Sequence, residues 1–88
     1  MSEQSMALKV HQAASGVLTP TGWELLALVK FQGDYMMKQP THEAYLVERD
    51  AYLDLLVLAE RDAICAPILI TAAQRALDED VRRARDKG

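Results

Sequence analysis

Prolines at positions 20, 40 and 67 constrain this chain more than any other feature. Proline has no backbone N–H and its ring clashes with the preceding turn, so a helix can begin at one but does not run through it. The residue before it is pushed out of the α region as well. Between those points apolar residues recur with the helical period, and no segment sustains the alternation that a half-buried strand needs. The one β-rich run, Ile68 to Thr71, lies inside a helical stripe. The chain therefore reads as all-α, a compact three- to four-helix bundle with short loops.

The helix ends can be placed from local chemistry. Ser5 is positioned to cap a short first helix over 6–15, with residues 1–4 disordered before it and Gly16 ending it in a left-handed conformation. Met6, Val10 and Ala13/Ala14 share its apolar face. Thr19 followed by Pro20 is a stronger start, a cap and then a first-turn proline. Leu18 and Trp23 fall at the two positions of a hydrophobic staple. This second helix spans 20–38; Gly33 costs it about 1 kcal/mol relative to alanine without stopping it, and Pro40 does stop it. Thr41 opens a third helix over 42–60, with Glu43 near the positive end of its dipole. Tyr45 and Tyr52, and Leu46 and Leu53, repeat along it at a spacing of seven. Asp62 caps a fourth helix over 63–85 that holds Pro67 in or near its first turn. Ile70, Ala73, Leu77 and Val81 form its apolar stripe, which is expected to face the core. Across from that stripe, Asp78–Arg82 and Glu79–Arg83 are acid-before-base pairs worth a few tenths of a kcal/mol each.

A chain of 88 residues is one domain with a small core. Half of it is hydrophobic and 26% is charged, the balance of a folded globule. The single cysteine, Cys65, permits no internal disulfide and suits a reducing compartment. The opening residues, MSEQSMALKVHQ, lack the basic-then-apolar order of a signal peptide. The longest apolar runs, such as Leu55 to Ala59, are far short of the about 20 residues that span a bilayer. These features lead us to expect a soluble cytoplasmic protein without a membrane partner.

Catalytic chemistry finds little support. Cys65 with His11 or His42 as base has no supporting spacing, and the same three residues match no metal-ligand pattern. No glycine-rich phosphate loop is present. The expectation is a non-enzyme with no cofactor and no metal. Nucleic acid is also disfavoured. Residues 43–62 hold six acids against two bases, a net charge of −4 that repels phosphate. A helix-turn-helix turning at Gly33 would have its reading helix broken by Pro40. One turning at "ERDAICAP" would read with "PILITAAQRAL", which is too apolar. A DNA-associated reading is left with Arg82, Arg83, Arg85 and Lys87, offset by Asp78, Glu79, Asp80 and Asp86.

The remaining surplus is apolar. Trp23, Phe31, Tyr35, Met36, Met37, Tyr45 and Tyr52 concentrate in the second and third helices and the connection "QGDYMMKQPTH" between them. Residues of this kind at helical spacing are ordinary core. They are also what protein interfaces are built from, and methionine repacks readily around a partner. A groove floored by them and rimmed by Glu43, Glu48 and Asp50 would accept an apolar or basic-flanked helix. Neighbouring helical positions diverge by about 100°, so Tyr35, Met36 and Met37 do not all point inward. Tyr35 and Met36 read as core or groove wall, and Met37 as the exposed contact. In size, helicity, acidity and apolar surplus, over the whole chain, the sequence resembles the small antiactivators of the QseM and TraM kind. These serve bacterial mobile-element and quorum-sensing circuits. The resemblance implies a protein that sequesters a transcription regulator through a hydrophobic surface. It transfers no site residue. The expectation is a protein-binding regulator. The alternatives are the DNA-associated protein just described and a homodimeric structural subunit that pairs through the same apolar face.

Overall fold

The computed structural model describes residues 2–87, with side chains through Asp86. It contains four α-helices: α1 (Glu3–Ala14), α2 (Gly22–Met37), α3 (His42–Glu60) and α4 (Leu69–Lys87). A single 3-10 turn, Ala66–Ile68, leads into α4. Among the described residues there is no strand.

Helix α3 matches the boundaries expected of it. Thr41 caps it, the hydroxyl accepting from the Ala44 amide at 3.1 Å. Helix α1 starts earlier than Ser5 implied. Ser2 is the cap, accepting from the Ser5 amide at 3.2 Å, so Glu3 and Gln4 are helical. Met1 lies outside the described residues. The expected stop holds: Gly16 has φ +84°, and the amides of Val17 and Leu18 close on the Gln12 carbonyl at 2.9 and 3.0 Å.

Helix α2 departs from the local pattern. It begins at Gly22, not Pro20, and its flanking residue Thr21 makes no side-chain cap. The cap comes from 40 positions away: the Gly22 amide donates to Asp62 Oδ2 at 2.7 Å. Gly22 has φ +58°, a left-handed conformation that glycine adopts without strain. The Leu18–Trp23 staple does not form, because Trp23 is 74% exposed. Asp62 does not cap the fourth helix as expected, because residues 63–65 form a turn. Its other oxygen accepts from the Ile64 and Cys65 amides at 2.9 and 3.2 Å, holding the turn after α3. These amide donors, Gly22 first, lower the Asp62 pKa. The fourth helix starts later than residue 63. Pro67 sits in the 3-10 turn and the regular helix begins at Leu69.

Helices α2 and α3 form the central pair, with α1 packed on both and α4 on both. The core between them holds Leu25, Leu28 and Met36 from α2 and Tyr45, Tyr52 and Leu55 from α3. Val10 and Ala13 close it from α1, as the expected apolar face of that helix requires. Ala72 and Ala76 close it from α4. The Cα radius of gyration, 12.7 Å, is close to the about 12 Å of a compact domain of this length. All four helices therefore belong to one folded body.

Candidate interaction surface

The seven apolar residues expected to form one site do not converge. Met36, Tyr45 and Tyr52 are at most 2% exposed and serve the core. Phe31 and Tyr35 are half-buried and stack on each other, with ring centroids 5.3 Å apart. Trp23 and Met37 are exposed, but they sit at opposite ends of α2, about 21 Å apart along its axis at about 1.5 Å per residue. Met37 borders a cleft with Pro40, His42 and Arg82.

The groove between α2 and α3 is also filled. Gln32, fully buried, donates through Nε2 to the Glu48 carbonyl at 2.9 Å and to Glu48 Oε1 at 3.0 Å. His11 of α1 lies against the same carboxylate at 3.2 Å. Glu48 is thus a clasp between three helices, not a rim residue. Glu43 and Asp50 remain exposed as expected.

The C-terminal bases are largely committed. Arg83 donates to the carbonyls of Met37, Gln39 and Thr41 at 3.3, 2.9 and 3.3 Å, gathering the connection between α2 and α3. Its guanidinium also lies 4.4 Å from the centroid of the Tyr45 ring. Arg82 and Arg83 both bind Glu79, at 2.6 and 2.7 Å. The Arg82 hydrogen bonds, followed by those of Arg83, outweigh burial and draw the Glu79 carboxyl down to about 2. The Glu79–Arg83 pair forms as expected, but Asp78–Arg82 does not. Arg82 turns to Glu79 and Asp86, while Asp78 accepts from Gln74 at 2.8 Å. Of the four bases proposed for nucleic acid, Arg85 alone is exposed without a described ion pair; the Lys87 side chain lies outside the described residues.

Helix α4 holds the largest departure. Its apolar stripe faces water: Ile70 is 83% exposed, Leu77 55% and Val81 50%. The face turned inward carries Ala72, Ala76 and Glu79 instead. The reason lies in α3. The Tyr52 hydroxyl donates to the Ala72 carbonyl at 3.3 Å, and the Tyr45 hydroxyl reaches the Ala76 carbonyl at 3.2 Å and Asp80 Oδ1 at 2.6 Å. Arg49 binds the other Asp80 oxygen at 2.9 Å. Burial first, then the Asp80 carboxylate, pushes the Tyr45 hydroxyl well above its ordinary pKa, so it remains a donor. A tyrosine reaches a backbone carbonyl across a helix pair only where the intervening side chains are small, and Ala72 and Ala76 provide that. Two tyrosines seven apart on α3, opposite two alanines four apart on α4, were the available signal for this rotation.

Cys65 is buried, its thiol raised by desolvation and set against the Gly22 carbonyl at 3.5 Å. Among the described residues no cluster of three or more His, Cys, Asp or Glu side chains is placed to hold a metal, and no helix is long and apolar enough to cross a membrane. Compared with protein-family models, curated proteins and solved structures, the chain matches none of them.

Proposed function

We propose that this chain is a non-enzymatic regulatory module that binds another protein, and that its contact surface is the outward side of α4. One observation carries the proposal: α4 buries Ala72 and Ala76 and leaves Ile70, Leu77 and Val81 in water. Apolar residues scattered singly on a surface need no explanation, but aligned ones mark interaction sites. The contact thus moves from the α2–α3 residues, of which Met36, Tyr45 and Tyr52 serve the core, to a helix that packs Leu69, Ala72 and Ala76 inward and leaves Ile70, Leu77 and Val81 outside. Sequestration of a transcription regulator, the activity implied by the resemblance to antiactivators, is compatible with this surface. A DNA-reading role is less so, since Arg82 and Arg83 are occupied within the fold.

The test is affinity capture from a native lysate with wild type, Leu77→Asp and Met37→Asp, each first shown to be folded by circular dichroism. A partner lost with Leu77→Asp and retained with Met37→Asp is the expected result. The reverse pattern would return the site to the connection after α2. Retention by both variants would defeat the proposal.

A further inference from the structure

The outward side of α4 continues onto α3. The two helices run antiparallel, with their register set by Tyr52 on the Ala72 carbonyl and Tyr45 on the Ala76 carbonyl. A turn of about 100° per residue from Tyr52 brings Leu53 to the α4 side of the solvent face of α3 and Val57 towards its crest. Counting antiparallel from Tyr52 on Ala72, Leu53 lies level with Thr71, one residue from Ile70, and Val57 lies level with Pro67 at the entry to α4. Leu53 is 40% exposed and Val57 58%, so the apolar row of α4 widens into a surface that spans two helices.

That surface is acidic at its edges. Asp54 and Glu60 of α3 and Asp78 of α4 are exposed. None of the three has an ion-pair partner among the described residues. The exposed bases Arg61 and Arg85 stand towards the C-terminal ends of α3 and α4. By contrast, acids elsewhere, such as Asp34, Glu79 and Asp80, are matched by arginines.

Resting on the protein-binding reading above, we infer the chemistry of the partner: this two-helix surface takes a basic amphipathic helix, one apolar stripe flanked by lysine and arginine. The apolar row supplies burial without direction. The unpaired acids supply orientation and raise the encounter rate, and they repel an acidic helix. They also disfavour a second copy of this chain, because face-to-face pairing would bring Asp54, Glu60 and Asp78 into a field of their own sign.

The experiment titrates the intact chain with two synthetic helical peptides that share one leucine stripe, the first flanked by lysines and the second by glutamates. Amide-resolved NMR and calorimetry are the readouts. The lysine peptide should shift residues around Leu53, Val57, Ile70 and Leu77, and its affinity should fall as salt rises. Combined Asp54→Lys, Glu60→Lys and Asp78→Lys should weaken it by about tenfold or more, with Asp78→Lys alone as the milder variant if the triple does not fold. Equal binding of the two peptides, or affinity untouched by charge reversal, would overturn the basic-partner inference and leave the docking surface standing. Binding of the lysine peptide that ignores Leu77→Asp would remove both. No shift with the lysine peptide overturns the inference. So does a concentration-dependent dimer of the chain alone that Leu77→Asp dissolves, which would assign the surface to a second copy.

Discussion

Helices α3 and α4 have the same length, 19 residues, and lie side by side, yet they are held by different forces. Helix α3 sends Tyr45, Tyr52 and Leu55 into the core, all at most 2% exposed. Helix α4 buries two alanines and a glutamate, rests Leu69 against the core at its first position, and keeps Ile70, Leu77 and Val81 outside. The first is anchored by buried area. The second is anchored by directional bonds: two tyrosine hydroxyls on its carbonyls, Asp80 on Arg49, and Arg83 on the connection before α3. A helix fixed by polar bonds does not consume its apolar residues. Ile70, Leu77 and Val81 of α4 are therefore free for a partner, while the apolar residues of α3 that face inward are not.

The sharpest way to break this contrast is to cut into the buried side of α3. Leu55→Ala removes a fully buried side chain from the middle of the core. Such truncations cost about 2 to 5 kcal/mol, a large part of the about 5 to 15 kcal/mol that holds a small domain together. Urea unfolding followed by circular dichroism should show the midpoint collapsing or the variant unfolded at the outset. A loss below about 1 kcal/mol would mean that α3 is not anchored by burial.

The corresponding cut in α4 is electrostatic, and it depends on pH. The folded Glu79 carboxyl sits at about 2 against an ordinary 4.5. A lowered folded pKa gives stability that is present above the ordinary value and lost as pH falls through the interval towards the folded one. With allowance for solvent screening at the exposed Arg82, this is on the order of 2 kcal/mol. Glu79→Gln should therefore be less stable than wild type by about that amount at neutral pH. The gap should close as the pH approaches 2, where the wild-type carboxyl takes up its proton. Denaturant midpoints measured across that range test the sign. A gap that stayed constant with pH would show that shape, not charge, explains the cost of the substitution.

These two cuts also mark what could be read from sequence and what could not. Helix α3 was legible end to end because everything that defines it is local: Thr41 caps it and Pro40 isolates it from α2. The start of α2 was not, because its cap is the carboxylate of Asp62, which a local pattern does not connect to Gly22. The stripe of α4 was found but turned the wrong way. Periodicity reports that apolar residues share a face and says nothing about which face packs. The deciding facts were the reach of Tyr45 and Tyr52 to backbone carbonyls and the small alanines that let them pass, a relation between two helices. The candidate site was drawn from the same local signals. Aromatic content pointed to Tyr45 and Tyr52, whose size made them core, and away from Ile70 and Leu77, whose exposure depends on the rotation of α4.

The smallest expected effect on stability is the most telling about function. Ile70 is 83% exposed in the first turn of α4. Ile70→Glu removes no buried area and places a carboxylate near the positive end of the helix dipole, where acids gain about 0.3 to 1 kcal/mol. Stability should hold within about 0.5 kcal/mol or rise slightly, while binding of an apolar partner along α4 should weaken. The two readouts then separate, which no core substitution can achieve, because a core variant loses structure and binding together. A stability loss above about 1.5 kcal/mol would mean that Ile70 is packed in solution. If that loss shrank as the protein was diluted, the packing would be against another copy of the chain, since dissociation by mass action exposes the residue in wild type as well. If it did not change with dilution, α4 would be rotated in solution relative to the arrangement described, and the contrast with α3 would fall with it.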